Sequence, residues 1–279
     1  LVVDRYDRWL VVQLLSAALE AHRDTLVAAL GEVFRPDGIL LRHDVPARRL
    51  EGLDQQVMLA DGSVPETVEV HEAGVRWLAA PWTGQKTGAF LDQREHRRLA
   101  GALVPSRGTA LDCFSYHGSF ALHLAGRADQ VTALDVSTEA LDRGREHAEM
   151  NGLANIEFVA GGACEQPPAW HLQGRHFALV VVERPSFGKA KAHFPAALRG
   201  YHEINRRAMA LVAPGGRLLT ASCSAHVRLP AFLETVATAA GRSGRRFTLE
   251  QVLGQPVDHP EVLAIPETGY LKGLLLRAD

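Results

Sequence analysis

From Thr109 to Gly241 the chain repeats a short apolar run followed by a helical pattern. TALDCF, VTALD, IEFVA, FALVVV and GRLLTASC read as five strands. Between them lie the helical patterns SFALHLAG, STEALDRGREHAEMNG, a weaker one around Cys164 to Leu172, and LRGYHEINRRAMALVA. Strands alternating with helices predict a doubly wound α/β domain with a parallel sheet. The tail departs from this: after the helix LPAFLETVATAAG come RFTLEQVL and YLKGLLLRAD with no helix between them, which predicts an antiparallel pair at the sheet edge, the edge strand antiparallel to the rest.

Residues 1–80 follow another pattern, that of a small α+β domain. VVDRYDRWLVV predicts a hairpin. SAALEAHRDTLVAALGEVF predicts a helix with Leu19, Leu26, Leu30 and Val33 on its apolar face. GILLRHD reads as a strand and ETVEVHEAGVRWLAA as a hairpin turning near Gly74. This part shows no catalytic constellation. A Gly/Thr-rich connection, PWTGQKTGAF at 81–90, leads to the α/β domain at 91–279, which opens with a helix from about Leu91 to Ala102.

Composition narrows the class without choosing a function. With 279 residues, 47% of them hydrophobic, the chain can bury full cores. No apolar stretch reaches the length of a membrane span, and no signal peptide is visible. The chain opens at Leu1 in strand-like alternation, which reads as a piece lacking an upstream segment. Three widely spaced cysteines, Cys113, Cys164 and Cys223, speak against a disulfide framework and for a reducing cytoplasm. Thirteen histidines form no HExxH-like spacing, so no metal is expected. A net charge of −2 does not announce a nucleic-acid binder. Basic groups at Arg94, Arg97 and Arg98, at Lys189 and Lys191, at Arg206 and Arg207, and at Arg242, Arg245 and Arg246 read first as solvated helix faces.

Candidate chemistry begins at the first strand of the alternating domain. In TALDCFSYHGSFA the apolar run carries Asp112 and breaks at a turn containing Gly118, then enters a helix. Such a junction leaves backbone N–H groups unpaired and lets a ligand approach where glycine has no side chain. Asp135 closes the next apolar run, at the distance where nucleotide-binding folds hold the ribose hydroxyls. GxGxxG is missing, so a pyrophosphate has too few points of close backbone approach. A carboxylate at Asp112 favours a cationic ligand, and S-adenosylmethionine fits better than NAD.

Ligands of open α/β sheets bind beyond the carboxyl ends of the strands. ERPSF, with Glu183 and Pro185, follows the fourth strand, and ASCS, with Cys223, ends the fifth. A thiolate there could add to carbon 6 of a cytosine and make carbon 5 nucleophilic, and a carboxyl group near N3 would stabilise the charge that develops. Position alone leaves Cys223 open between that role and a small buried hydrophobe. For Cys113 and Cys164 the buried or inert reading is the expected one.

The segments LVVDRYDRWLVVQ, GQKTGAFLDQREHRRL, LDCFSYHGSFALHLA, LDVSTEAL, ASCS and DHPEVLAIPETGYLKGLLLR together resemble the RlmI-type family of 23S ribosomal RNA cytosine-5 methyltransferases, over the whole of Leu1–Asp279. The resemblance implies a class I methyltransferase (Rossmann-like) domain, S-adenosyl-L-methionine as cofactor, 23S ribosomal RNA as partner, and usually an N-terminal PUA domain, a segment this sequence does not show. It leaves a homodimer open. It also implies that Phe90, Asp92 and Arg94 help to enclose the cofactor and that Asp112, Tyr116, Gly118 and Phe120 line its methionine side. Asp135 would hold the ribose, Ser119, Val136 and Gly162 would complete the cofactor set, and Cys223 would be the nucleophile, with Glu183 as the partner of N3.

Three departures carry consequences. Gly162 stands where the family has the aspartate that meets the adenine amino group, a loss of about 1–2 kcal/mol of cofactor binding unless another contact replaces it. Glu183, Arg184, Pro185, Ser186 and Phe187 stand in place of DPPxF, which moves the carboxylate one methylene outward, and Ala178 replaces an aspartate before that strand. Two alternatives therefore stay open: methylation of another RNA base or an amine, and an RNA-binding or assembly protein with a decayed cofactor site.

Overall fold

Asp7 and Arg8 interrupt two extended runs at the start of the chain, and in the computed structural model those runs, Val2–Tyr6 (β1) and Trp9–Gln13 (β2), pair antiparallel. The structure describes residues 1–184 and 194–279, and it divides into two units, Leu1–Leu91 and Asp92–Asp279. In the first unit Gly38–Arg42 (β3) runs parallel to β2, and Val57–Gly62 (β4) runs antiparallel to β3. The single helix expected before β3 is two, Ala17–Ala21 (α1) and Arg23–Phe34 (α2), with His22 at the break. Leu26, Val27 and Leu30 of α2 pack on Leu10, Val12, Ile39 and Leu41. Val33, expected on the same face, is 71% exposed; it falls in the last turn, just before Arg35 enters the left-handed conformation that ends the helix.

The short helix Ala47–Leu50 (α3) and strand β4 were not legible in the sequence. Their side chains are mostly exposed or half-buried, so neither shows a clean apolar period. Val68–Glu72 (β5) and Val75–Ala79 (β6) form the expected hairpin at Ala73 and Gly74. The segment 81–90 is tied down within the first unit. Arg42 donates through Nη1 to the Pro81 carbonyl at 2.5 Å and through Nη2 to that of Gly84 at 3.0 Å, and the Thr87 hydroxyl donates to Asp4 Oδ2 at 2.5 Å.

In the second unit Arg94–Leu103 (α4) leads to the parallel strands Thr109–Cys113 (β7), Gln130–Asp135 (β8), Ile156–Ala160 (β9), Phe177–Arg184 (β10) and Val212–Ser222 (β11). The crossovers carry Ser119–Ala125 (α5), Thr138–Met150 (α6), Gln166–Leu172 (α7) and Phe194–Leu211 (α8); Leu229–Arg242 (α9) follows β11. Phe247–Leu253 (β12) and Lys272–Ala278 (β13) complete the sheet in the order β12-β13-β11-β10-β7-β8-β9. The expected antiparallel pair is present, but the antiparallel strand is not the edge: β13 inserts between β11 and β12 and runs against both. Its run from Gly273 to Leu276 is buried throughout, as suits an interior strand covered on both faces.

Strand alternation sorts the core into two layers. Leu111, Val180, Val182, Leu218, Leu274 and Leu276 face Tyr201, Ile204 and Met209 of α8 and Phe232 and Val236 of α9. Ala110, Val131, Ala133, Leu179, Val181, Leu219 and Leu275 face Ala100 of α4 and Phe120, Ala121 and Leu124 of α5. The order reverses between β7 and β10, where open α/β sheets place their ligand crevice. Among the described residues no helix is long and apolar enough to cross a membrane.

Two of the basic groups expected on solvated faces are structural. Arg97 is fully buried on α4, and Arg245 donates through Nη1 to the carbonyls of Met209, at 3.0 Å, and Val212, which closes the carboxyl end of α8. Arg206 and Arg207 bind Glu203 on their own helix. Lys189 and Lys191 lie outside the described residues, as do Pro185, Ser186 and Phe187.

Candidate cofactor and active site

Three polar residues that the sequence singled out end neighbouring strands. Asp112 is one residue from the end of β7, Glu183 one residue from the end of β10, and Cys223 one residue past β11. Register aligns them: Cys113 opposes Val182, Glu183 opposes Ala221 and Arg184 opposes Ser222. The charges of Asp135 and Glu183 act on Asp112, and the buried Tyr201 phenol of α8 interacts with both Cys223 and Glu183. One end of the sheet therefore gathers three carboxyl groups and a half-buried thiol.

The turn after β7 is built from left-handed residues. Phe114, Tyr116 and Gly118 have φ of 63°, 51° and 79°. Left-handed backbone at Phe and Tyr costs of order 1 kcal/mol or more each, a strain found mainly where a loop serves a ligand. Backbone bonds hold it: Ser115 N–H donates to the Leu134 carbonyl at 3.0 Å and Gly118 N–H to the Ser115 carbonyl at 2.8 Å. A Cβ at Gly118 would lie 3.3 Å from the ring of Phe158. His147 Nδ1 donates to the His117 carbonyl at 3.1 Å; burial pushes the two imidazoles down to about 4 and about 3, so both are neutral supports under the turn.

Asp135 ties the turn to the next helix. Its Oδ2 accepts from Tyr116 N–H at 2.9 Å and its Oδ1 from Ser137 N–H at 2.9 Å, while its side chain stays half-buried. Val136 beside it is 76% exposed, and Ser119 is half-buried at the start of α5. Just past β9, the space a Cβ of Gly162 would take is filled by the carboxyl end of the flexible, exposed Glu165 side chain. A carboxylate thus lies over Gly162, supplied from three residues further along.

Other site residues turn inward. Asp112 is 1% exposed and its Oδ2 accepts from Ala121 N–H at 3.0 Å, so the carboxylate braces α5 from below the turn. Phe120 packs in the layer between α5 and the sheet. Asp92, also buried, accepts from the Tyr270 hydroxyl at 2.9 Å, and Arg94 donates to Asp258 at 2.9 Å, so both hold the loop that precedes β13. Phe90 lies in the first unit, with Lys86 Nζ 4.7 Å from its ring centre. Of the other thiols, Cys113 is buried and its pKa raised by that burial, and Cys164 is exposed.

Asp112 has a measurable stability consequence. Burial, followed by the charges of Asp135 and Glu183, raises its pKa well above the ordinary carboxylate value, against the lowering effect of the Ala121 N–H and Arg97. Below about pH 4 the group is protonated in both folded and unfolded chains and costs nothing; as pH rises the unfolded chain ionises first, and stability falls. Asp112→Asn keeps an oxygen for Ala121 N–H and removes that slope. Urea unfolding should show the variant gaining on the wild type by more than about 1 kcal/mol between pH 4 and pH 8. Parallel pH profiles would show that Asp112 ionises freely in the fold.

Sequence reasoning missed three residues behind Cys223. Tyr201 accepts a hydrogen bond from the Ser222 hydroxyl at 2.9 Å, Ser222 Oγ accepts from Ser224 N–H at 3.3 Å, and Lys272 is buried on β13 beside them. The one signal was a lysine standing in the apolar run YLKGLLL.

The arrangement matches known proteins along its length. A family profile described as S-adenosylmethionine-dependent methyltransferase covers residues 35–277. The chain is 39% identical over its full length to a ribosomal RNA large subunit methyltransferase I from Aeromonas salmonicida, of which it covers 71%, and 38% identical to the protein of that name from Klebsiella pneumoniae, of which it covers 70%. Among solved structures, a candidate methyltransferase in complex with SAH superposes on 99% of this chain and 70% of its own at a TM-score of 0.85 and 21% identity. The Methanocaldococcus jannaschii tRNA m1G37 methyltransferase matches 100% of this chain and 72% of its own at 0.68 and 13%. At those identities the superpositions speak for the fold, whereas the family profile and the two closer relatives speak for descent. The chain belongs to the S-adenosylmethionine-dependent methyltransferases.

Proposed function

We propose that the protein transfers a methyl group from S-adenosylmethionine to carbon 5 of a cytosine in large-subunit ribosomal RNA, with Cys223 as nucleophile and Glu183 as the partner of N3. The observation that carries this reading is the placement of Asp112, Glu183 and Cys223 at the ends of three adjacent parallel strands, beside the point where strand order reverses. Kinship with proteins named ribosomal RNA large subunit methyltransferase I supports the substrate class.

The residues fit the cofactor. A turn closed at Gly118, the partly exposed carboxylate of Asp135 and the exposed Val136 offer an adenosine a backbone cradle, a hydroxyl acceptor and an apolar edge. Glu165 returns to the end of β9 the carboxylate that Gly162 lacks, and so offers an acceptor to an adenine amino group. Carboxyl groups suit a cationic ligand and repel a pyrophosphate. When bound, the cofactor supplies an electrophilic methyl carbon on sulfonium.

Cys223 does the chemistry on the base. Its Sγ adds to carbon 6, and the ring electrons move to carbon 5, which becomes nucleophilic. Glu183, with its carboxyl protonated, donates to N3 and stabilises the negative charge that develops on the ring. Once carbon 5 carries the methyl group, its proton leaves to a base, the C6–S bond breaks and Sγ departs as thiolate. The target base has to leave its stack to reach this end of the sheet.

RNA containing 5-fluorocytidine tests the sequence of steps, because fluorine at carbon 5 cannot leave as a proton does. The enzyme should stall as a denaturant-stable, methylated protein–RNA adduct attached at Cys223, and normal RNA should yield 5-methylcytidine by nucleoside mass spectrometry. Methylation of unmodified RNA at another base or at an exocyclic amine, with no adduct, would replace this reading.

A further inference from the structure

We propose that Lys272 is the positioning residue of the reaction: from the interior strand β13 it fixes the backbone beside Cys223 and holds a positive charge against the thiol. The proposal rests on Cys223 being the nucleophile. Ammonium groups are rarely buried without partners, and this one is 4% exposed. Antiparallel register sets Lys272 opposite Ser222, one residue before Cys223. Nζ donates to the Ser224 carbonyl at 2.5 Å and to the Tyr270 carbonyl at 2.8 Å, so it grips the chain on the far side of Cys223. Tyr201, Ser222 and the Ser224 N–H hold the same three residues from the α8 side.

The electrostatics agree with the geometry. Burial brings the Lys272 ammonium down to about 8, and its interaction with Cys223 opposes that fall, so near pH 7 the charge is present and acts on Cys223. The other titratable groups at this end of the sheet include Tyr201 on α8, Glu183 and Arg184 on β10, Asp112 on β7 and Asp135 on β8; beside β13 lie His96 of α4, packed against Gly273, and Asp92, bonded to the Tyr270 hydroxyl. Tyr201 is pushed up to about 12 and stays neutral, Arg184 interacts with Tyr201 and Cys164, and any ionised carboxylate nearby opposes loss of the thiol proton. Lys272 supplies the opposing field that a thiolate at neutral pH requires, the thiol proton leaving to water. The same residue explains why an antiparallel strand end, remote in sequence, belongs to the active site.

Alkylation of Cys223 by iodoacetamide from pH 6 to pH 10, read by mass spectrometry of its peptide, tests this. The wild type should show a midpoint below the ordinary cysteine value of about 8.5. Lys272→Met should move it up by about one pH unit and slow alkylation at pH 7 roughly tenfold, and Lys272→Arg should restore most of the shift. Unchanged melting and SAH binding confirm that each variant is folded. A wild-type midpoint at or above 8.5 overturns the proposal whatever the variants do, and so does a Lys272→Met profile that overlays the wild type. The nucleophile reading fails separately: if 5-fluorocytidine RNA traps no adduct while the alkylation shift is present, Lys272 still tunes Cys223, but Cys223 does not attack the base.

Discussion

On the proposed mechanism, Cys223→Ala should lower methyl transfer to large-subunit ribosomal RNA by about 10⁴-fold or more, since removing the proposed nucleophile leaves only binding and orientation to accelerate the reaction. The expected loss is confined to turnover. Alanine keeps the Cβ, and neighbours also hold this strand end: Ser222 Oγ to Tyr201, Ser224 N–H to Ser222, and Lys272 to the Ser224 carbonyl. Stability and SAH affinity should therefore change by less than about 1 kcal/mol. Serine in the same place should recover little, because a hydroxyl is scarcely ionised near neutrality. Initial rates with tritium-labelled S-adenosylmethionine, beside calorimetry with SAH, separate the two effects. Residual activity within tenfold of wild type would remove the covalent mechanism and return Cys223 to the role of packing. Cys113→Ala is the control with the opposite expectation: its thiol is buried in the core, so the cost should appear in stability and not in turnover.

Arg48→Met is expected to destabilise the first unit by about 3 kcal/mol, the largest stability effect predicted for this chain. Arg48 is 1% exposed and joins three segments. Nε donates to the Asp54 carbonyl at 2.8 Å, and Nη1 donates to the Leu14 carbonyl at 2.5 Å and to Glu20 Oε2 at 2.9 Å. Methionine retains much of the stem's packing but leaves two carbonyls and a largely covered carboxylate without that donor. His43 does not replace it, because burial, the largest cause of its lowered pKa, persists in the variant and disfavours a charged ring. Lysine at this position should recover less than half of the loss, since one ammonium cannot span the guanidinium's fork. Three of the four tryptophans, Trp9, Trp77 and Trp82, lie in the first unit, so urea unfolding followed by fluorescence in a Trp170→Phe background reports on it. A shift below about 1 kcal/mol would mean that water satisfies those acceptors and that the arginine is dispensable.

The sequence by itself determined the parallel core of the second unit, because strands buried on both faces must be apolar throughout and their helices must carry one apolar stripe; TALDC, VTALD and FALVVV admit little else. It also placed Asp112, Glu183 and Cys223 at strand ends, since a strand ends where polar residues return. Only the tertiary structure decided what those residues face. Asp112 was legible as a carboxylate beside a turn, yet its position on the α5 side of β7 directs it to Ala121 N–H and into the interior. The Glu165 carboxyl beside Gly162 was hidden because it folds back through space from three places on. Lys272 lies 49 positions after Cys223 and reaches its neighbours Ser222 and Ser224 only because β13 inserts between β11 and β12, a strand order fixed by pairing and packing rather than by any local pattern. Local periodicity encodes which face of an element is buried; it does not encode which element lies against that face, and the residues that support the site depend on the second.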